Sequence, residues 1–307
     1  MKAVDLFAGW GGMTEGARQA GVSVVWAANH WPLAVEAHSM NHPSTQHVCQ
    51  DLRQADWTAL PAYDLLLAAP ACQGHSEAGQ PGRRRDGVRR RHDALRATAW
   101  AVVDCAEVTL PRAIVVENVL EFRRWPLFPT WCQALEVLGY QLDIRSAVAS
   151  ELGVPQRRRR LFVLGTRRST WIRELPCTPE LPFGPCVDWA AGDWRPIDTA
   201  QQGARRRLSA AVDSFERALV QHTSDHRGIA VTEPIRTITT KDQWCAARRR
   251  GREYRPLTLR EYARAMGFSD SYRWPQASRA DVVKGLGNAV PPPMAREVIA
   301  AVTEALG

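Results

Sequence analysis

A short apolar strand signal that runs straight into a glycine-rich turn constrains this chain more than any other feature. Residues 3–6 are apolar apart from Asp5 and lead into Phe7-Ala8-Gly9-Trp10-Gly11-Gly12, with a helix signal following to Ala20. The same strand-then-helix unit recurs. A strand at 22–28 precedes a helix at 32–40, and a strand at 64–69 ends at Pro70-Ala71-Cys72-Gln73. A helix at 97–110 leads to a strand at 113–116, which ends at Glu117-Asn118-Val119. A helix at 130–138 and strands at 141–148 and 161–165 complete the set. This alternation predicts an α/β fold built on a doubly wound, mostly parallel sheet. Ligands of such sheets bind outside the carboxyl ends of the strands. The glycine turn, Cys72 and Glu117 each fall just after a predicted strand, so three chemically interesting groups converge on one rim.

Beyond residue 165 the pattern changes. Prolines at 176, 179, 182, 185 and 196 break the periodicity, with Trp189, Trp194 and Arg205-Arg206-Arg207 among them. The expected organisation is a catalytic, cofactor-binding domain over 1–165 and a small irregular domain over 166–234. A return segment over 235–307 would complete the first domain. That segment carries helix signals at 258–266 and 294–306, and residues 285–293 (GLGNAVPPP) read as a tight, ordered turn. A length of 307 residues suits about two domains of ~150 residues each.

The charge balance is 40 Lys+Arg against 32 Asp+Glu, a net +8, and lysine occurs only at positions 2, 241 and 284. Arginine's planar fork matches phosphate and guanine, which makes nucleic acid a reasonable partner. A GC-rich genome would also favour arginine. No apolar run reaches the ~20 residues that span a bilayer. The seven cysteines are scattered and form no CxxC pair, against a disulfide scaffold or a zinc site and for a reducing, cytoplasmic setting.

Each candidate residue admits a bland reading beside a chemical one. Glycines between a strand and a helix let the backbone approach a ligand, or simply make a tight turn. A free cysteine is usually a small buried hydrophobe. Cys72, however, stands in a loop followed by Arg83-Arg84-Arg85 and Arg89-Arg90-Arg91, whose charge would favour the thiolate. Glu117 at a strand end is either solvated or a buried acid able to donate a proton. In Gln156-Arg157-Arg158-Arg159-Arg160 alternation along a strand puts Arg158 and Arg160 on one face, facing either solvent or the cleft.

These residues together resemble the DNA (cytosine-5) methyltransferases. Asp5–Gly12, Pro70–Gln73, Glu117-Asn118-Val119 and Gln156-x-Arg158-x-Arg160 occur in that family's order. They are followed by Arg255-x-x-Thr258-x-Arg260-Glu261-x-x-Arg264-x-x-Gly267-Phe268 and Gly287-Asn288-Ala289-Val290. The resemblance implies methyl transfer from S-adenosylmethionine to carbon 5 of cytosine in double-stranded DNA, with the target base flipped out; action as a monomer is expected because an asymmetric cleft needs no partner. It implies Cys72 as the nucleophile at carbon 6, Glu117 as the acid at ring N3, and Arg160 with Arg158 near O2. For the cofactor it implies Phe7, Gly9, Trp10, Gly11, His30, Trp31, Asp51, Leu52, Pro70, Thr98 and Asn288. For DNA it implies Gln73, Ser76 and the arginines at 83–85 and 89–91, within a glycine-containing loop that closes over the base. The segment 166–234 corresponds to target recognition.

Two positions depart from the family's pattern. Ala71 replaces the proline that directly precedes the nucleophile, which frees that backbone angle. His30, preceded by Asn29, stands where the family carries an acid for the ribose, so no carboxylate is available there. A relative acting on RNA continues its nucleophile loop differently from Gly74-His75 here. A third reading is a binding protein that has lost catalysis; it has to set aside Cys72, Glu117 and Arg160 together.

Overall fold

The structure, a computed structural model, describes residues 1–71, 97–168, 171–222 and 228–307. Its centre is a seven-stranded sheet in the order β3-β2-β1-β4-β5-β8-β6. These strands are β1 (Lys2–Leu6), β2 (Ser23–Asn29), β3 (Gln46–Cys49), β4 (Leu65–Ala68), β5 (Ala113–Asn118), β6 (Gln141–Val148) and β8 (Arg159–Thr166). The first five pair in parallel, whereas β8 runs antiparallel to both β5 and β6.

Strict alternation of side chains sends each strand's residues into two apolar layers. Ala3, Leu65, Leu67, Ala113 and Val115 pack with Met13 and Ala17 of α1 (Gly12–Gln19) and with Met294 and Val298 of α8 (Pro292–Leu306). On the other face Val4, Leu66, Ile114 and Val116 pack with Val102 of α3 (Trp100–Thr109) and Trp131 of α4 (Phe128–Val137). Asp5 breaks the rule: it is a fully buried acid between apolar neighbours. The chain leaves β1 towards β2 on one side and reaches β4 on the other, so the topological switch point lies between β1 and β4.

Residues 166–234, expected to be irregular, contribute to a second, antiparallel sheet of five strands, β11-β10-β13-β14-β9. Its members are β9 (Arg195–Pro196), β10 (Arg217–Gln221), β11 (Ile229–Ala230), β13 (Trp244–Arg248) and β14 (Glu253–Pro256), so it continues past residue 234. Helix α5 (Gln202–Ser214) covers one face through Leu208, Ala211 and Val212. Two short strands, β7 (Gln156–Arg157) and β12 (Ile235–Arg236), pair in parallel and tie this part of the chain to the entrance of β8.

The turn expected over 285–293 is mostly helix. Residues 285–288 form the last turn of α7 (Arg279–Asn288), leaving only residues 289–291 to reverse the chain. Pro292 then opens α8, where a missing N–H is tolerated. Gly285 is required by packing: a Cβ there would lie 2.1 Å from Cε2 of Trp10. Two further helices, α2 (Pro32–Asn41) and α6 (Leu259–Ala265), join α7 in a third apolar cluster around Trp10 and Tyr262. Among the described residues no helix is long and apolar enough to cross a membrane.

Candidate active site

A cavity of about 330 Å³, within the range of small-molecule sites, opens at the switch point between β1 and β4. Its walls come from the ends of four strands, three of them those singled out in the sequence. Phe7, Gly9 and Trp10 follow β1; Asn29 ends β2, and His30 and Trp31 follow it; Pro70 and Ala71 follow β4; Glu117 is the last residue but one of β5. Lys284, Gly285, Asn288 and Val290 close it from α7 and the turn beyond. Phe7 holds a positive φ of 59°, a strained conformation for a side-chain-bearing residue and of a kind that concentrates at functional sites. Gly12 permits the closure, since a Cβ there would lie 1.9 Å from the Val290 carbonyl oxygen.

Several polar contacts order the rim. The Asn29 side-chain oxygen accepts from the Trp31 backbone N–H at 2.9 Å, and the Lys284 ammonium sits 4.4 Å from the centre of the Trp31 ring. The Asn118 amide donates to the Pro70 carbonyl at 3.2 Å, joining the loop after β4 to the end of β5. Tyr272 donates its hydroxyl to the Trp10 carbonyl at 2.5 Å.

Glu117 is buried, and Nε of Arg160 lies 2.9 Å from its Oε1. Burial pushes its carboxyl above the ordinary range, while the charges of Arg160 and Arg158 pull the other way. The result is an acid whose proton affinity is raised but whose anion has a partner, a combination suited to giving and taking a proton.

Arg158 does not share this arrangement with Arg160. Its guanidinium is buried and donates to the backbone carbonyls of Ile238 (3.0 Å), Gly287 (2.9 Å) and Ala289 (3.1 Å). It clamps the end of α7 to the segment after β12, and reaches Glu117 through charge. The change of side arises because Arg158 falls between β7 and β8 rather than within one continuous strand. Arg157 points outward and pairs with Glu180 and Glu233.

Of the expected cofactor residues, Phe7, Gly9, Trp10, His30, Trp31, Pro70 and Asn288 line the cavity; Gly11, Asp51, Leu52 and Thr98 are not among its lining residues. Asp51 instead accepts from the backbone and side chain of Arg53, and these contacts hold its carboxyl down at about 2. Cys72, Gln73, Ser76 and the arginines at 83–85 and 89–91 lie outside the described residues. The lining residue Ala71 directly precedes Cys72 in the chain. Sequence reading missed Asp5, Met13, Lys284 and Val290 as lining residues. Asp5 carried a signal, being the one acid inside an apolar strand. Lys284 had none, because its place depends on residues 284–288 being helical.

The doubly wound sheet, the cavity at its switch point and the buried acid–arginine pair define an α/β enzyme of the methyltransferase fold. The description "C-5 cytosine-specific DNA methylase" matches residues 1–183 and 192–304. The chain belongs to that family, which makes it a cytosine-5 methyltransferase. Type II methyltransferase M.NgoPII of Neisseria gonorrhoeae is 26% identical, over 100% of this chain and 96% of the relative. M.AgeI of Thalassovita gelatinovora is 34% identical over 54% of the chain, which spans only 39% of that relative's length. Among solved structures, a putative DNA modification methyltransferase encoded within an E. coli prophage aligns with a TM-score of 0.73 at 18% identity. That alignment covers 100% of this chain and 99% of the other. Entamoeba histolytica methyltransferase EhMeth gives 0.75 at 14% identity, with the same coverage.

Proposed function

We propose that the protein transfers a methyl group from S-adenosylmethionine to carbon 5 of cytosine in duplex DNA. The observation that carries the reading is the buried Glu117–Arg160 pair, whose Glu117 lines a cavity that Ala71, the neighbour of Cys72, also lines. The cavity suits the cofactor. Phe7 and Trp31 offer aromatic walls, Asn29, Asn288 and Asp5 offer polar groups, and one oxygen of Asp5 is buried without a partner among the described residues. S-adenosylmethionine supplies an electrophilic methyl group when bound.

Carbon 5 of cytosine is a poor nucleophile. Glu117 holds ring N3 with its proton, and Arg160 steadies the resulting carboxylate. Protonating N3 withdraws electrons from carbon 6, where the Cys72 thiolate adds. Addition makes carbon 5 electron-rich enough to take the methyl group. A base then removes the carbon 5 proton, and the Cys72 sulfur leaves as the double bond re-forms. A cytosine stacked inside a duplex cannot reach a cavity set at the strand ends between β1 and β4, so the base is flipped out first.

The test is a duplex carrying 5-fluorocytosine at the target, incubated with cofactor. Fluorine cannot leave as a proton does, so the adduct stalls and peptide mapping finds the DNA on Cys72. The same oligonucleotide as RNA serves as the competing arm. Trapping of RNA alone, or of duplex DNA on another residue, refutes the reading.

A further inference from the structure

Strand β6 stands at one end of the central sheet, paired with β8 and with no other strand. The Ala149 N–H donates to the Arg158 carbonyl at 2.8 Å, which sets the phase of that pairing. Antiparallel alternation then turns the backbone groups of Arg145 and Ala147 towards β8, and those of Ile144, Ser146 and Val148 away from it. Among the described residues no hydrogen bond reaches these outward groups, and Ser146 is exposed. Ser146 and Val148 line a cavity of about 440 Å³, separate from the one at the switch point. Its opposite wall is the segment 174–177, held off the strand at both ends. Arg145 spans the gap and donates to the carbonyls of Ile172 at 2.6 Å and Arg173 at 2.5 Å. At the other end the Thr178 N–H donates to the Glu151 carbonyl at 2.9 Å. Pro176 has no N–H to offer β6, and the segment forms no strand of its own.

We propose that this groove docks an extended, basic segment of a partner protein, which adds to β6 as an outer strand. Edge strands are normally guarded against such pairing by charged side chains. Here the cation of the guard is already occupied, since Arg145 pairs with Asp143 at 2.5 Å besides its two carbonyls. What remains free is negative. Glu151 and Glu174 line the groove, are exposed, and have no ion-pair partner among the described residues. Nearby Glu180 and Glu304 do have one, in Arg157 and Arg173. A chain of net charge +8 thus keeps an acidic groove beside an open strand edge. A second copy of the chain would set these acids against their own kind, whereas arginine or lysine side chains complement them. Outward groups from residue 144 to 148 span four rises of ~3.3 Å, so a segment of about five residues fills the edge. Strand β6 lies three spacings of ~4.8 Å from β4, which leaves the cavity at the switch point clear.

The test uses the full chain and a fluorescein-labelled synthetic peptide of about seven residues that alternates valine with arginine and lysine. Anisotropy at low salt should show saturable binding. Methylating the peptide's backbone nitrogens on the edge that meets β6 should weaken it at least about tenfold, because the ladder donors are lost. Glu151→Gln combined with Glu174→Gln should weaken it at least about threefold, the size of two exposed ion pairs, with the thermal unfolding midpoint unmoved. Hydrogen exchange should slow at the Ser146 and Val148 amides when the peptide is bound. Absent binding, undiminished binding of the methylated peptide or by the double variant, or unchanged exchange in β6 overturns the proposal. Full displacement by spermidine would make the groove a site for small cations, and a dimer in sedimentation that excludes the peptide would give the edge to a second copy. Either result overturns it as well.

Discussion

Replacing Arg158 by Met should loosen the junction between the end of α7 and the segment after β12 more than it alters the chemistry. The reason lies in how α7 ends before the prolines at 291–293. The carbonyl of Gly287, in the last turn of α7, would look four residues ahead for a donor and find Pro291, which has no N–H, while Ala289 has left the helix with ψ 151° and its carbonyl has no helical partner. Both residues are buried, so water cannot substitute. Arg158 supplies the missing donors, together with one to Ile238. Methionine fills much of the same volume but donates nothing. Each buried carbonyl left unpaired costs ~1–3 kcal/mol, and partial relaxation makes the sum less than additive, so a loss of about 3–5 kcal/mol is expected. Urea unfolding, followed by tryptophan fluorescence and far-UV dichroism together, measures it. The midpoint should fall with an unchanged slope. A loss below about 1 kcal/mol would refute the claim that Arg158 holds this junction, and would return it to the cleft.

Other perturbations follow from the same geometry. Asp5→Asn should stabilise the ligand-free protein at pH 8. A carboxyl raised to about 7 keeps its proton longer in the folded than in the unfolded chain, so its contribution is favourable at low pH and lost as pH rises from about 4 to 7. The full span is worth roughly 4 kcal/mol, and thermal unfolding at pH 5 and pH 8 reads the difference. Gly285→Ala should cost ~1–3 kcal/mol by driving a methyl into the Trp10 ring. Trp10→Leu in the same chain should recover part of that cost, and simple additivity in the double-mutant cycle would contradict the contact. Arg160→Met should strand the Glu117 carboxylate in its buried site, costing ~3–5 kcal/mol and lowering turnover. An unaltered pH–rate profile in that variant would show that the pair does not set the acid's proton affinity.

The parts of this molecule that were readable in the sequence are those that rest on local pattern. Apolar runs at 3–6, 64–69 and 113–116 had to be central strands, and the glycine turn and Glu117 had to stand at their ends. The short edge strand β3 was invisible because Gln46-His47-Val48-Cys49 has no apolar run to mark it. The second sheet was hidden by strands of two to five residues interrupted by proline, where pairing partners rather than propensity decide the structure. Arg158 was misplaced for a related reason. Its acceptors lie 80, 129 and 131 residues away, in segments that no local pattern brings to its side. Lys284 became a cavity residue only once residues 284–288 proved helical.

The most direct test of the central claim is mass analysis of nucleosides from duplex DNA exposed to the protein and S-adenosylmethionine, with Cys72→Ser alongside. A nucleoside heavier than deoxycytidine by one methyl group, co-migrating with a 5-methyl standard and formed by the wild type alone, is the predicted result. Unmodified cytosine in every duplex offered, or equal methylation by Cys72→Ser, would contradict it.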